Sequence, residues 1–241
     1  MCSLIVVKYQ TVPVRQSRRI PFNGVHEMEY FFLAVFILTT AIHLYASLKQ
    51  DRKLRNLTKP FILLALLGFY VFAAGNVLTF IILALLFSWL GDVLLMPHGV
   101  KWFAAGGVAF MISHLFFILG YSRDIDFASV SVFVVIILAL FFICTVCFIF
   151  ARLKPHLPKA LFYPMFLYLL INGAMNCFAV FRFLSCPGAS TITTCIGAIL
   201  FFISDTALFF VRFKKDGRLK THFLVMLTYS IGELLIIIGL L

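Results

Sequence analysis

At 241 residues, with 63% hydrophobic and 12% charged, the chain is far more apolar than a soluble domain, which is nearer half apolar and a quarter charged. A mean hydropathy of +1.09 and thirty Phe residues exclude an ordinary soluble enzyme and place it among integral membrane proteins. The formal charge of +11 sits in short stretches between apolar runs, with no separate basic domain, so it reports membrane topology and argues against a nucleic-acid partner.

In chain order, residues 1–28 read as a polar N-terminal tail. Their one early apolar run, 4–7, precedes Arg15, Arg18 and Arg19, whereas a secretory signal places charge first and a longer apolar core after it. Residues 29–241 then read as one transmembrane domain. Apolar runs long enough to cross about 30 Å of hydrocarbon fall at 29–48, 59–75, 76–96, 102–121, 128–151, 160–181, 190–211 and 221–240. The expected fold is therefore an all-α integral membrane bundle of about eight helices. The second run is short, and only Gly75-Asn76 separates it from the third, which predicts a tight helical hairpin. Loops 1, 3, 5 and 7 carry 14 Lys and Arg against 6 on the opposite side, which predicts those loops in the cytoplasm and both termini outside.

Cys144 and Cys147 form a CxxC inside an apolar run, with no second CxxC and no neighbouring His, so they read as small hydrophobes. Cys186 and Cys195 lie near one loop, which leaves a disulfide open. The six histidines are scattered without HExxH spacing, and GxSxG, P-loop and GxGxxG motifs are missing from the sequence. Neither a metal site nor a cofactor is expected.

Of nine acidic residues, three lie within apolar runs: Asp92, Asp205 and Glu233. A carboxylate at that depth costs a few kcal/mol or more, so it faces the bundle interior, finds partners and often marks a site. Asp92 and Asp205 lie near the ends of spans 3 and 7, which run in the same direction, so the two share a depth whichever way the chain is oriented. Two carboxylates at one level allow one to hold a proton while the other stays ionised. His114 in span 4, Tyr229 beside Glu233 in span 8, Asn172 and Asn176 in span 6 behind Tyr168, and Ser88 one turn before Asp92 are the polar residues placed to join them. Each of these also serves as helix-to-helix hydrogen bonding. The segment from Gly91 to Leu95 in span 3 is echoed by that from Ser204 to Leu208 in span 7, which hints at a four-plus-four pseudo-repeat with a site at its interface.

The segment Ser88-Trp89-Leu90-Gly91-Asp92-Val93-Leu94-Leu95-Met96 resembles the YhhN-like lysoplasmalogenase family of eight-span membrane hydrolases. The likeness continues through Lys59-Pro60, through Phe103, Gly106, Ala109-Phe110 and Ser113-His114, through the run from Gly197 to Ser204-Asp205, and through Thr228-Tyr229. It covers the chain from about residue 30 to the end. Glu233 departs from it, standing where many relatives carry Gln, as does the long N-terminal tail. The resemblance implies that 29–241 is a hydrolase domain cleaving the vinyl-ether bond of lysoplasmalogens, with a fatty aldehyde and glycerophosphoethanolamine or glycerophosphocholine as products.

Vinyl-ether hydrolysis proceeds by protonation at carbon and capture of an oxocarbenium ion by water. It needs an acid and a negative group beside the cation, which two carboxyl groups supply, as in glycosidases. Asp92 and Asp205 are the expected catalytic pair, with His114, Tyr229, Glu233, Asn172, Asn176 and Ser88 supporting them or binding substrate. Lys101, Arg212 or Lys214 are placed to contact phosphate, although membrane topology by itself accounts better for each of them. The partners expected are the lysophospholipid and the bilayer, and the oligomeric state is left open. The Phe-rich composition and added tail lean towards the endoplasmic reticulum or another endomembrane, with a bacterial inner membrane as the alternative. Two rival readings use the same carboxylates: a proton or cation transporter or channel, and a non-catalytic lipid-binding protein. The spans carry no Pro break near Asp92 or Asp205, which favours the enzyme.

Overall fold

A computed structural model describes residues 23–128, 130–214 and 222–241. Among them are eight α-helices: α1 (Asn23–Leu48), α2 (Arg52–Ala73), α3 (Thr79–Leu94), α4 (Val100–Ser122), α5 (Val132–Leu153), α6 (Phe162–Ser185), α7 (Ala189–Phe213) and α8 (His222–Ile238). The eight-helix membrane bundle expected from hydropathy is thus the observed architecture. Six helices are long and apolar enough to cross a membrane. The other two, α3 and α8, have 16 and 17 residues; at 1.5 Å per residue they reach only ~24–26 Å, short of the ~30 Å core.

Local chemistry sets the helix ends. Asp51 caps α2, its side chain accepting from the backbone N–H groups of Lys53 at 2.9 Å and Leu54 at 3.1 Å. The α2–α3 hairpin expected at Gly75-Asn76 is there, opened to the stretch 74–78, and Tyr70 closes it by accepting from Leu78 N–H. Gly99, at φ 129°, makes the turn into α4 that a side chain would strain. The run from Pro155 to Pro158 separates α5 from α6, and Pro187-Gly188 separates α6 from α7.

The helices pack as consecutive hairpins. α1 lies on α2, α3 on α4 and α7 on α8, while α4 and α7 both pack on α6. The echoed sequence segments have their counterparts in α3–α4 and α7–α8, each with its aspartate towards the C-terminal end of the first helix. Both hairpins close on glycine: a Cβ on Gly197 would meet Gly232 O at 2.7 Å, and one on Gly106 would meet Gly91 O at 3.2 Å. α5 is the most lipid-like element, with few buried side chains, and leans on α6. Cys144 and Cys147 lie on its exposed surface, and Cys186 and Cys195 are free thiols, so the open disulfide is not formed.

Arg182 belongs to the fold, although it reads as a loop charge in sequence. It is buried in α6, where Nε donates to Asp124 at 2.8 Å and Nη1 donates to Thr194 and to Gly239 O, each at 2.9 Å. One guanidinium therefore ties α6 to the α4–α5 connection, α7 and the C-terminal end, at the face opposite the site described next.

Candidate functional site

Asp92 and Asp205 line one cavity of about 90 Å³, although 113 residues apart in sequence. Lys59, Phe103, Phe110, Ser204, Arg212, His222 and Tyr229 are among the other residues of its wall. Five helices meet here, at the end of the bundle that carries the basic loops. Ser204 steadies the floor, donating to Val225 O at 2.8 Å and so tying α7 to α8 beside Asp205.

The two carboxyl groups have different partners. Asp92 Oδ1 lies 3.0 Å from the Lys59 ammonium, and Oδ2 accepts from the Tyr229 hydroxyl at 2.9 Å. Its environment is cationic and comes from α2 and α8. Asp205 Oδ2 accepts from the Tyr168 hydroxyl and, at 2.7 Å, from Asn172 Nδ2, both on α6. His114 Nε2, on α4, lies 3.7 Å from the same oxygen. His114 Nδ1 is bonded to Phe110 O, which can only accept, so Nδ1 carries the hydrogen. In the neutral ring Nε2 is then a bare acceptor, and it has no other hydrogen-bond partner among the described residues. Asp92 thus sits against the Lys59 ammonium, while Asp205 sits among the neutral donors Tyr168 and Asn172 with the His114 ring beside it.

Aromatic rings wall the pair. His114 packs edge-on to Tyr168 at 5.4 Å and to Phe201 at 5.0 Å, and Tyr229 packs on Phe201 at 5.4 Å. Such walls exclude water and strengthen the electrostatics inside.

The other residues singled out from sequence are placed around this centre unevenly. Asn176 donates to Asn172 O at 3.0 Å, supporting Asn172 without reaching Asp205. Ser88 is hydrogen-bonded to Ser113 at 2.7 Å, joining α3 to α4 one turn below the cavity. Glu233 is fully buried against Ser88 and does not line the cavity. Of the three cations weighed as phosphate contacts, Arg212 lines the cavity and Lys101 and Lys214 do not. Two partners were named in the sequence without a role at the site. Lys59 was legible only as part of a motif, although a lysine opening an apolar span is itself a signal. Tyr168 shares the i, i+4 face of Asn172 and Asn176, and that polar stripe was the clue.

Fold and site together define a multi-pass helical membrane protein with an interior two-carboxylate pocket at its basic end. The chain belongs to the YhhN family, whose family model matches residues 54–240 and so takes in both aspartates and Lys59. No curated protein and no solved structure matches it.

Proposed function

We propose that the protein hydrolyses the vinyl-ether bond of lysoplasmalogens. The observation that carries this reading is the convergence of Asp92 and Asp205, in unlike surroundings, on one cavity at the end of the bundle where basic side chains gather. Membership of the YhhN family is consistent with a membrane hydrolase.

In the proposed reaction Asp205 is the acid. Its Oδ2 is taken by Tyr168 and Asn172, which leaves Oδ1 to hold the proton. That proton passes to the alkenyl carbon distal to oxygen; the π pair forms the new C–H bond, and positive charge develops on the adjacent C–O unit. Asp92, held against Lys59, supplies negative charge beside the oxocarbenium ion. Water adds to the cationic carbon and loses a proton to a carboxylate. The hemiacetal then collapses: its hydroxyl proton leaves, the C–O bond to glycerol breaks, and the glycerol oxygen takes up a proton. The products are one aldehyde and one glycerophospho-alcohol, and the carboxyl groups return to their starting states.

An apolar slot between α4, α6 and α7, lined by Gly107, Met111, Pro164 and Tyr168, adjoins the cavity through their shared Phe103. It offers the alkenyl chain a route towards lipid. By the charge asymmetry of the loops, substrate would come from the cytoplasmic leaflet.

The test is aldehyde release from lysoplasmalogen by purified protein in detergent, where no gradient exists to drive transport. Asp92→Asn and Asp205→Asn should each lower the rate by about 100-fold or more while leaving the fold intact. Full activity in both variants, or no aldehyde from the wild type, sinks the reading.

A further inference from the structure

A second cavity, about 180 Å³, adjoins the reaction pocket at the basic end and shares Lys59, Arg212 and His222 with it. Arg52, Arg55 and Lys59 reach it from α2, at spacings of three and four residues that stack them on successive turns of one face. Arg212 comes from the last turn of α7, His222 from the start of α8 and His98 from the α3–α4 turn. Topology explains why this side of the protein is basic, but not why the charges converge on a hollow, since like charges free in solvent spread apart.

These cations are underused by the protein itself. Among the described residues none of the three arginines is ion-paired, and Arg55 Nε is buried without a hydrogen-bond partner. None of the described residues lining this cavity is acidic. Asp92, the carboxylate next door, is already engaged by Lys59. Arg212 is steadied at the boundary of the two cavities, its guanidinium over the Phe103 ring at 5.9 Å. Guanidinium forks match the oxygens of phosphate two at a time, and an anion that satisfied them would relieve their mutual repulsion.

We infer that this cavity is a phosphate subsite, in which Arg52, Arg55 and Arg212 hold the phosphodiester of an amphiphile whose chain-bearing end occupies the adjoining reaction pocket. The location of the chain rests on the lysophospholipid reading above; the phosphate chemistry rests on the cavity. With no carboxylate among the described residues of its lining, the site reads the phosphate and ignores the amine beyond it. Choline and ethanolamine headgroups are therefore held alike.

The experiment measures binding to the full chain purified in detergent, using lipids that cannot react. The probes are a saturated-ether lysophosphocholine, its lysophosphoethanolamine counterpart, the matching alkylglycerol without phosphate, and inorganic phosphate. Proteins are the wild type, Arg52→Gln, Arg55→Gln and the charge-keeping Arg55→Lys, each checked for monodispersity and unchanged melting. The wild type should bind both phospholipids equally, and about tenfold or more tighter than the alkylglycerol. Each Gln variant should lose about tenfold for the phospholipids and nothing for the alkylglycerol, and Arg55→Lys should recover part of the loss. Three results overturn the subsite: equal wild-type affinity for phospholipid and alkylglycerol, phospholipid affinity unmoved in both Gln variants, or inorganic phosphate binding as tightly as the lipids, which would make it a free-anion site. Since no probe carries a vinyl ether, the outcome is independent of aldehyde release. Binding as described without hydrolysis keeps the subsite and sinks the hydrolase; hydrolysis with indifferent arginines sinks the subsite alone.

Discussion

Tyr168, Asn172 and Asn176 recur at i, i+4 spacing on α6, yet only the first two reach Asp205. The spacing announces a shared face; which end of that face meets the carboxylate depends on how α6 lies against α7. Removing the Tyr168 hydroxyl takes one of two donors from Oδ2 and leaves the ring packed on His114. Tyr168→Phe should therefore lower the rate of aldehyde release about ten- to hundredfold with melting little changed. Glu233 is the contrasting case. Its carboxyl is buried against Ser88 and lies outside the cavity lining, so the isosteric Glu233→Gln, which keeps a hydrogen-bonding oxygen, should stay within about threefold of wild-type activity and melt no lower. A loss greater than tenfold in that variant would move Glu233 into the reacting group. From sequence alone the two residues are hard to separate, because each is a polar group in an apolar helix.

At the level of elements, the α7–α8 hairpin presents Asp205 from one helix and Tyr229 from the other. Its closeness depends on Gly197 and Gly232, whose Cα positions face the partner's backbone. A methyl on Gly197 would lie 2.7 Å from both Gly232 O and Ile236 N, and backbone atoms cannot rotate away. Gly197→Ala should cost about 1–3 kcal/mol of stability, read as a lower melting temperature in detergent, and should reduce activity by shifting Asp205 relative to Tyr229. The eight helices and their approximate limits were legible because 20-residue apolar runs have few alternatives in lipid. Which helices touch was not, since apolar faces towards lipid and towards protein look alike in hydropathy. The two shortest helices, α3 and α8, both carry partners in the site. Arg182 misled for a related reason: it lies near the end of an apolar run, where a loop charge and a buried tie between helices have the same one-dimensional signature.

At the scale of the whole molecule, three cavities follow the order of an amphiphile: a basic hollow, a carboxylate pocket that shares several wall residues with it, and an apolar slot joined to the pocket at Phe103. The slot gives a test on the chain end. Gly107 lines it, and a Cβ built there meets nothing within 4 Å, so a side chain can start from this position without a clash and reach into the slot. Gly107→Phe should raise KM for long-chain lysoplasmalogens about tenfold and spare short-chain ones, as measured by aldehyde release across a chain-length series. A uniform effect on all lengths would place the chain elsewhere.

The sequence by itself determined that the chain crosses the membrane repeatedly, that its interior carboxylates are costly enough to require partners, and that Asp92 and Asp205 share a depth, because hydropathy and helix direction are one-dimensional properties. Only the tertiary structure decided who those partners are. Lys59 stands against Asp92, Tyr168 and Asn172 hold Asp205, Glu233 lies apart, and basic residues from several segments of the chain face one hollow. Rotation of each helix about its axis and the choice of neighbours settle these pairings, and neither is written in the order of apolar residues along the chain.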